Sequence, residues 1–151
     1  MRLHYFLSPS IFVGVFLSIV SQAQPILDHT AIYVADLKVS AGFYRDVIGL
    51  KTIPEPFRDG LHAWFDLGNG AALHIIQGAD ERKEYYRNQH TCFRVPSVAD
   101  FVEVLKKHNV AWEDRDGKRM AITTRVDGVK QLWLKDPDGY WIEINDAKGK
   151  D

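Results

Sequence analysis

Four side chains of metal-binding or proton-moving type sit in strand-like surroundings: His29 within residues 27–34, His74 within 71–77, His90 within 90–95 and Glu143 within 140–145. Imidazole and carboxylate are the usual non-sulfur ligands of Zn, Ni, Fe or Mn. Alternate residues of a strand share a face. His29 therefore goes with Ala31 and Tyr33, His90 with Cys92 and Arg94, and Glu143 with Trp141 and Asn145, leaving Ile142 and Ile144 on the opposite face. Taken singly, a strand histidine is ordinarily hydrogen-bonded or at the surface, and a strand glutamate faces water. Together they read otherwise, because a Glu143 set between isoleucines is costly to bury without a partner. The expectation is one divalent metal ion held by His29, His74, His90 and Glu143, with Glu143, the only acidic ligand, either staying bound or moving a proton.

The remaining candidates are weaker. Arg94 shares the His90 face and is a candidate for holding an anionic group of a small-molecule substrate, although a surface ion pair is its simpler role. Trp133 is a candidate wall of the substrate pocket, although core packing would explain it too. Cys92 reads as a small buried residue. Three histidines serve as controls: His4 in the apolar N-terminal stretch, His62 in a predicted edge strand beside turns, and His108 at a helix end, where it complements the dipole.

The elements that must position these residues follow from spacing. A strand over 27–34 leads into a helix carrying Val39, Phe43, Tyr44, Val47 and Ile48 on one stripe, closed by Gly49. Strands over 50–53, 61–67 and 71–77 follow, punctuated by Pro54, Pro56, Asp59-Gly60 and Gly68-Asn69-Gly70. The order then recurs. A strand over 90–95 precedes a helix announced by Ser97 and Asp100, with Val98, Phe101, Val102 and Leu105 on one face and Asn109 at its end. Strand-like runs at 110–113, 120–124, 129–135 and 140–145 complete the second unit, with turns at Asp127-Gly128 and Asp136-Pro137-Asp138-Gly139. His29-Thr30 and His90-Thr91 open the two units in the same way. Between them, Gly78 to Asn88 reads as a solvated charged linker.

Composition bounds the rest. The 151 residues suit a single domain with a real core, and 46% apolar with 26% charged residues is ordinary for a globular chain. With 19 Lys plus Arg against 20 Asp plus Glu, nothing marks the chain for nucleic acid or an anionic membrane. Residues 1–23 read as a secretory signal: Arg2, an apolar run over 11–20, and Ser21-Gln22-Ala23 before a cleavage point. That run is shorter than the ~20 residues needed to span a bilayer. The expected mature chain is one domain over 24–151, soluble in a bacterial periplasm, with no membrane attachment after cleavage. Cys92 is the only cysteine, so no intrachain disulfide supports the fold.

Three stretches carry a resemblance: Leu27-Asp28-His29 to Val34, Phe43-Tyr44-Arg45-Asp46-Val47-Ile48-Gly49-Leu50, and Lys135-Asp136-Pro137-Asp138-Gly139-Tyr140-Trp141-Ile142-Glu143. They resemble the vicinal oxygen chelate superfamily, which includes glyoxalase I, extradiol dioxygenases, fosfomycin-inactivating thiol transferases and metal-free bleomycin-binding proteins. The resemblance implies an α+β fold: two βαβββ units, here 27–78 and 89–146, forming a cupped mixed-sheet half-barrel around a metal with helices outside. It places the superfamily's ligand positions on His29, His74, His90 and Glu143. Glyoxalase I usually has Glu where His74 stands, dioxygenases a Tyr where Trp133 stands, and fosfomycin-type enzymes a Thr where Ala31 stands. The implied activity is that of a glyoxalase-like lyase or isomerase acting through an enediolate on an oxygen-chelating substrate such as a dicarbonyl adduct. Export separates such an enzyme from glutathione conjugates, which are mainly cytosolic. A non-catalytic small-molecule binder, a dioxygenase and a thiol transferase are the alternatives. Related short chains often form homodimers in which one chain's first unit faces its partner's second, although pairing within one chain would use the same ligands.

Overall fold

The computed structural model describes residues 24–149; the expected leader, residues 1–23, lies outside them. The first unit runs β1 (His29–Val34), α1 (Leu37–Asp46), β2 (Thr52–Ile53), β3 (His62–Gly68) and β4 (Ala71–Gln77). The second runs β5 (His90–Arg94), α2 (Val98–Lys107), β6 (Trp112–Glu113), β7 (Thr123–Thr124), β8 (Lys130–Lys135) and β9 (Trp141–Asn145). Sheet order is β1-β4-β3-β2 in one unit and β5-β9-β8-β6 in the other, so the same topology occurs twice in two open mixed sheets. The second unit adds β7, a two-residue strand that pairs with β8. In both units the first strand lies parallel to the last and forms an edge of its sheet.

Helix ends are set locally. Asp36 caps α1 by accepting a hydrogen bond from the Val39 amide, and Ser97 caps α2 through the Asp100 amide. Gly49 and Asn109, both with positive φ, follow the two helices. The apolar stripe expected on α1 is only partly used. Val39 is exposed, whereas Ser40 is 1% exposed because its hydroxyl donates to Asp138 in the β8–β9 turn. The Tyr44 hydroxyl donates to Asp136 in the same turn, and the Ala35 amide donates to Asp138. The turn of the second unit is thereby anchored on the first helix.

A single apolar cluster passes through both units. It includes Ile32, Val34, Phe65, Leu73 and Ile75 from the first sheet and Leu132, Leu134, Ile142 and Ile144 from the second, with Phe101, Val102 and Leu105 of α2. The opposite sheet faces carry the polar candidates, as strand alternation requires.

Two features differ from the sequence reading. β3 is interior, lying between β4 and β2, so His62 is not on an edge strand. The linker is exposed through Asp80 to Glu84, but Tyr85 and Arg87 are partly buried. Tyr85 stacks on Tyr140 with ring centres 4.3 Å apart and accepts a hydrogen bond from the Trp141 indole at its carbonyl. Arg87 is fixed by Glu113 and by the Asp114 and Arg115 carbonyls.

Candidate metal centre

Register brings the expected ligands together in pairs. In the first sheet Ala31 stands opposite His74, so His29, two residues away on the same face, lies beside it with ring centres 6.2 Å apart. In the second, Cys92 stands opposite Glu143, and His90 approaches it to 3.2 Å between Nε2 and Oε2. A tryptophan lies across from the last-strand ligand in each sheet: Trp64 opposite His74 and Trp133 opposite Glu143. Trp64 stacks on His74 at 4.3 Å, and Trp133 meets His90 edge-on at 6.5 Å. Trp64 was overlooked in the sequence, although its separation from His74 equals that of Trp133 from Glu143.

The ligand atoms are oriented for coordination. His90 Nδ1 lies 3.0 Å from the Arg87 carbonyl, which can only accept, so that nitrogen carries hydrogen. Nε2 then faces Glu143 either as a second N–H or as a lone pair opposed to a carboxylate oxygen, an arrangement that a cation between them would relieve. His29 Nδ1 sits 2.6 Å from Asp28 in the same way, leaving Nε2 available. Outer acceptors of this kind orient metal-bound histidines. His74 is 7% exposed and its Nε2 is buried with no hydrogen-bond partner. Burial, with His62 and His29 close by, lowers its pKa, so it stays a neutral donor at pH 7. Glu143 is 8% exposed, and Asn145 donates to its Oε1 at 2.9 Å, leaving Oε2 toward His90. Each of the four therefore keeps one ligand atom uncommitted to other hydrogen bonds, and each pair offers donors of the type a divalent ion takes.

The two pairs do not meet within one chain. Among the described residues, the one gathering of three or more potential ligands is Glu55, Asp59 and His62, with donor atoms within 4.8 Å of one another. This triad is a candidate metal site that the sequence reading missed. It spans the loop before β3 and the first residue of that strand; its His62 ring sits 5.0 Å from that of His74, while Phe57 of the loop stacks on His74. Asp59 accepts from the Leu61 amide and pairs with His62 Nδ1, and both hold its carboxyl below the usual range. Its signal was the Asp59-to-His62 spacing, hidden in a Pro- and Gly-rich loop taken only as punctuation.

The other sequence candidates fall differently. Trp133 is 7% exposed and lines a cavity of ≈ 480 Å³ that includes His90. Arg94 lies at the far end of β5, against the chain after β9 with Val95, Pro96 and Asp146. Cys92 is exposed rather than buried, but partial desolvation of its sulfur and the Glu143 carboxylate push the thiol up to about 12. It is not a ready thiolate.

The chain and its fold have counterparts among known proteins. Uncharacterized protein YwbC of Bacillus subtilis (strain 168) is 28% identical over 124 residues, covering 78% of this chain and 94% of its own. A lactoylglutathione lyase of Pseudomonas aeruginosa is 26% identical over 156 residues, covering 81% and 82%. Among solved structures, the oxidase ChaP-H1 superposes with a TM-score of 0.65 at 26% identity, covering 85% of this chain and all 100% of that one. Residues 26–144 match the Glyoxalase/Bleomycin resistance protein/Dioxygenase superfamily, and with the duplicated βαβββ-like topology in place the chain belongs to that superfamily.

Proposed function

We propose that this protein is an exported, metal-dependent lyase or isomerase of the glyoxalase type, working as a homodimer on a small substrate with adjacent oxygens. The observation that carries the reading is the matched pair of half-sites, His29 with His74 and His90 with Glu143, each holding uncommitted donor atoms on one sheet face. A second copy supplies the missing half to each, through the edge strands β1 and β5. When bound, a divalent ion supplies Lewis acidity, polarising a substrate carbonyl and acidifying the neighbouring C–H. Glu143 Oε2 takes the proton from that carbon and returns it to the adjacent one. Asn145 holds the other carboxylate oxygen and fixes the angle of approach. Trp64 and Trp133 exclude water from the reacting carbons. The lactoylglutathione lyase named above supports lyase chemistry. A second reading, an oxygen-consuming oxidase, is favoured by the likeness to ChaP-H1 and by a histidine at His74.

Elemental analysis of the exported protein should find about one divalent ion per chain, in a mature protein whose intact mass starts at Gln24. Turnover of dicarbonyl–thiol adducts without oxygen uptake separates lyase from oxidase. His90→Ala should abolish both metal and turnover; small-molecule binding that survives metal stripping, with no turnover in the wild type, points instead to a binding protein. Subunit assembly has its own test. A His29→Ala/His74→Ala protein mixed with a His90→Ala/Glu143→Ala protein, unfolded and refolded together, should regain roughly a quarter of the wild-type metal, because statistical heterodimers keep one intact site of two. No recovery, with dimers present by light scattering, would place each site within one chain.

A further inference from the structure

We propose that the cavity beside His90 binds the anionic end of the substrate, a carboxylate or phosphonate oxyanion on a small organic molecule, through Arg115, Arg125 and Gln131. The inference rests on the reading of His90 and Glu143 as half of a metal site, and it names the substrate class for that site.

The cavity, ≈ 480 Å³, is of a size that holds a small ligand. Three arginines line it, Arg87, Arg115 and Arg125, and no acidic residue does. Their roles differ. Arg87 is tied to Glu113 and two carbonyls and lies over the Trp133 ring at 5.7 Å, so it forms a wall. The Arg115 backbone is fixed by its amide donating to the Thr123 hydroxyl at 2.8 Å, while among the described residues its guanidinium has no hydrogen-bond or ion-pair partner. Arg125 is held on one side by Asp127 at 2.7 Å, which leaves its remaining N–H groups free to turn toward the cavity.

Gln131 supplies an independent observation. It lines the same cavity, is only 6% exposed as a residue, and its carboxamide makes no hydrogen bond to the described residues, so its N–H groups are open to the cavity. A ligand oxygen at that point would accept from them in place of water. Gln131 shares the sheet face of Trp133 and pairs across strands with Thr123 on one side and Asn145 on the other. Arg115, Arg125 and Gln131 thus line the same cavity as His90, with Gln131 opposite Asn145 at one end of β9 and His90 opposite Trp141 at the other. Guanidinium groups offer forked donors that match planar and tetrahedral oxyanions alike. A substrate anchored there by its charge would present its chelating oxygens toward His90 and Glu143.

The test is calorimetric titration of the full protein, stripped of metal, with phenylphosphonate, benzoate and benzyl alcohol, which share a ring and differ in charge. Both anions should bind more tightly than the alcohol, and their binding should weaken as salt is raised. The tighter of the two identifies the headgroup. Arg115→Gln/Arg125→Gln should weaken anion binding by about tenfold or more, and Gln131→Leu should weaken it with both arginines intact, whereas Lys38→Gln, on the first unit's helix, should leave it unchanged. Equal binding of alcohol and anions, or an undiminished affinity in the double variant with a wild-type melting transition, overturns the proposal. Metal content measured on separate samples keeps the two readings apart. Metal uptake without anion preference sinks only this inference, and anion binding in a protein that takes up no metal sinks only the other.

Discussion

Asn145 shows how much of this site depends on residues that are not themselves candidate ligands. Its amide donates to Glu143 Oε1 and also reaches the Cys92 sulfur at 3.1 Å, so it fixes which carboxylate oxygen faces His90. Partners of this kind are typically worth about 10–100-fold in metal affinity. Asn145→Ala should therefore lower affinity about tenfold in competition with a chromophoric chelator, while Asn145→Asp, which loses the donor and adds a charge, should behave no better. At this scale the sequence was legible where chemistry is written in residue type: His29, His74, His90 and Glu143 could be nominated because strand alternation assigns each a face. Glu55, Asp59 and His62 could not. Their proximity depends on how a loop closes, and no periodicity encodes that. Gln131 escaped for a related reason, since an amide becomes informative only once the cavity that it lines is known.

The β8–β9 turn is the element through which the second unit grips the first. Asp136 is 5% exposed, and burial raises its carboxyl to about 6 against the opposing hydrogen bonds from Tyr44 and the Tyr140 and Asp138 amides. A carboxyl whose folded pKa exceeds its unfolded value contributes stability below about pH 4 that is lost as pH rises through about 6. A rise of this size corresponds to roughly 3 kcal/mol. Urea denaturation at pH 4.5 and 7 should accordingly show a decline for the wild type from this group, and Asp136→Asn should flatten the decline. Tyr44→Phe removes a donor to a charged acceptor and should cost about 1.5–3 kcal/mol at pH 7. Gly139, at φ 95°, closes the turn where an added Cβ would come within 2.6 Å of the Lys83 carbonyl. Gly139→Ala should cost about 1–3 kcal/mol through backbone strain, and it should loosen the Tyr85–Tyr140 stack, read as faster proteolysis of the linker. Strand and helix positions were readable to within a few residues because alternation and caps are local. The Ser40–Asp138 and Tyr44–Asp136 contacts were not, since each joins residues more than ninety positions apart.

Across the whole molecule, duplication is the fact that organises the rest. Both units present a first-strand histidine, a last-strand ligand and a tryptophan opposite that ligand, from sequences sharing few letters. The paired topology was legible from the recurring order of elements. That the described chain keeps the two ligand pairs apart was not, because arrangement within a chain and between chains draws on the same residues. Among the described residues no helix is long and apolar enough to cross a membrane.

The separation of the ligand pairs carries a thermodynamic corollary under the homodimer reading. Metal capture and subunit association become one linked equilibrium, with each ion acting as a fastener between protomers. Apparent metal affinity would then fall on dilution, and chelators would release monomers. Metal scarcity would disassemble the enzyme as well as empty it.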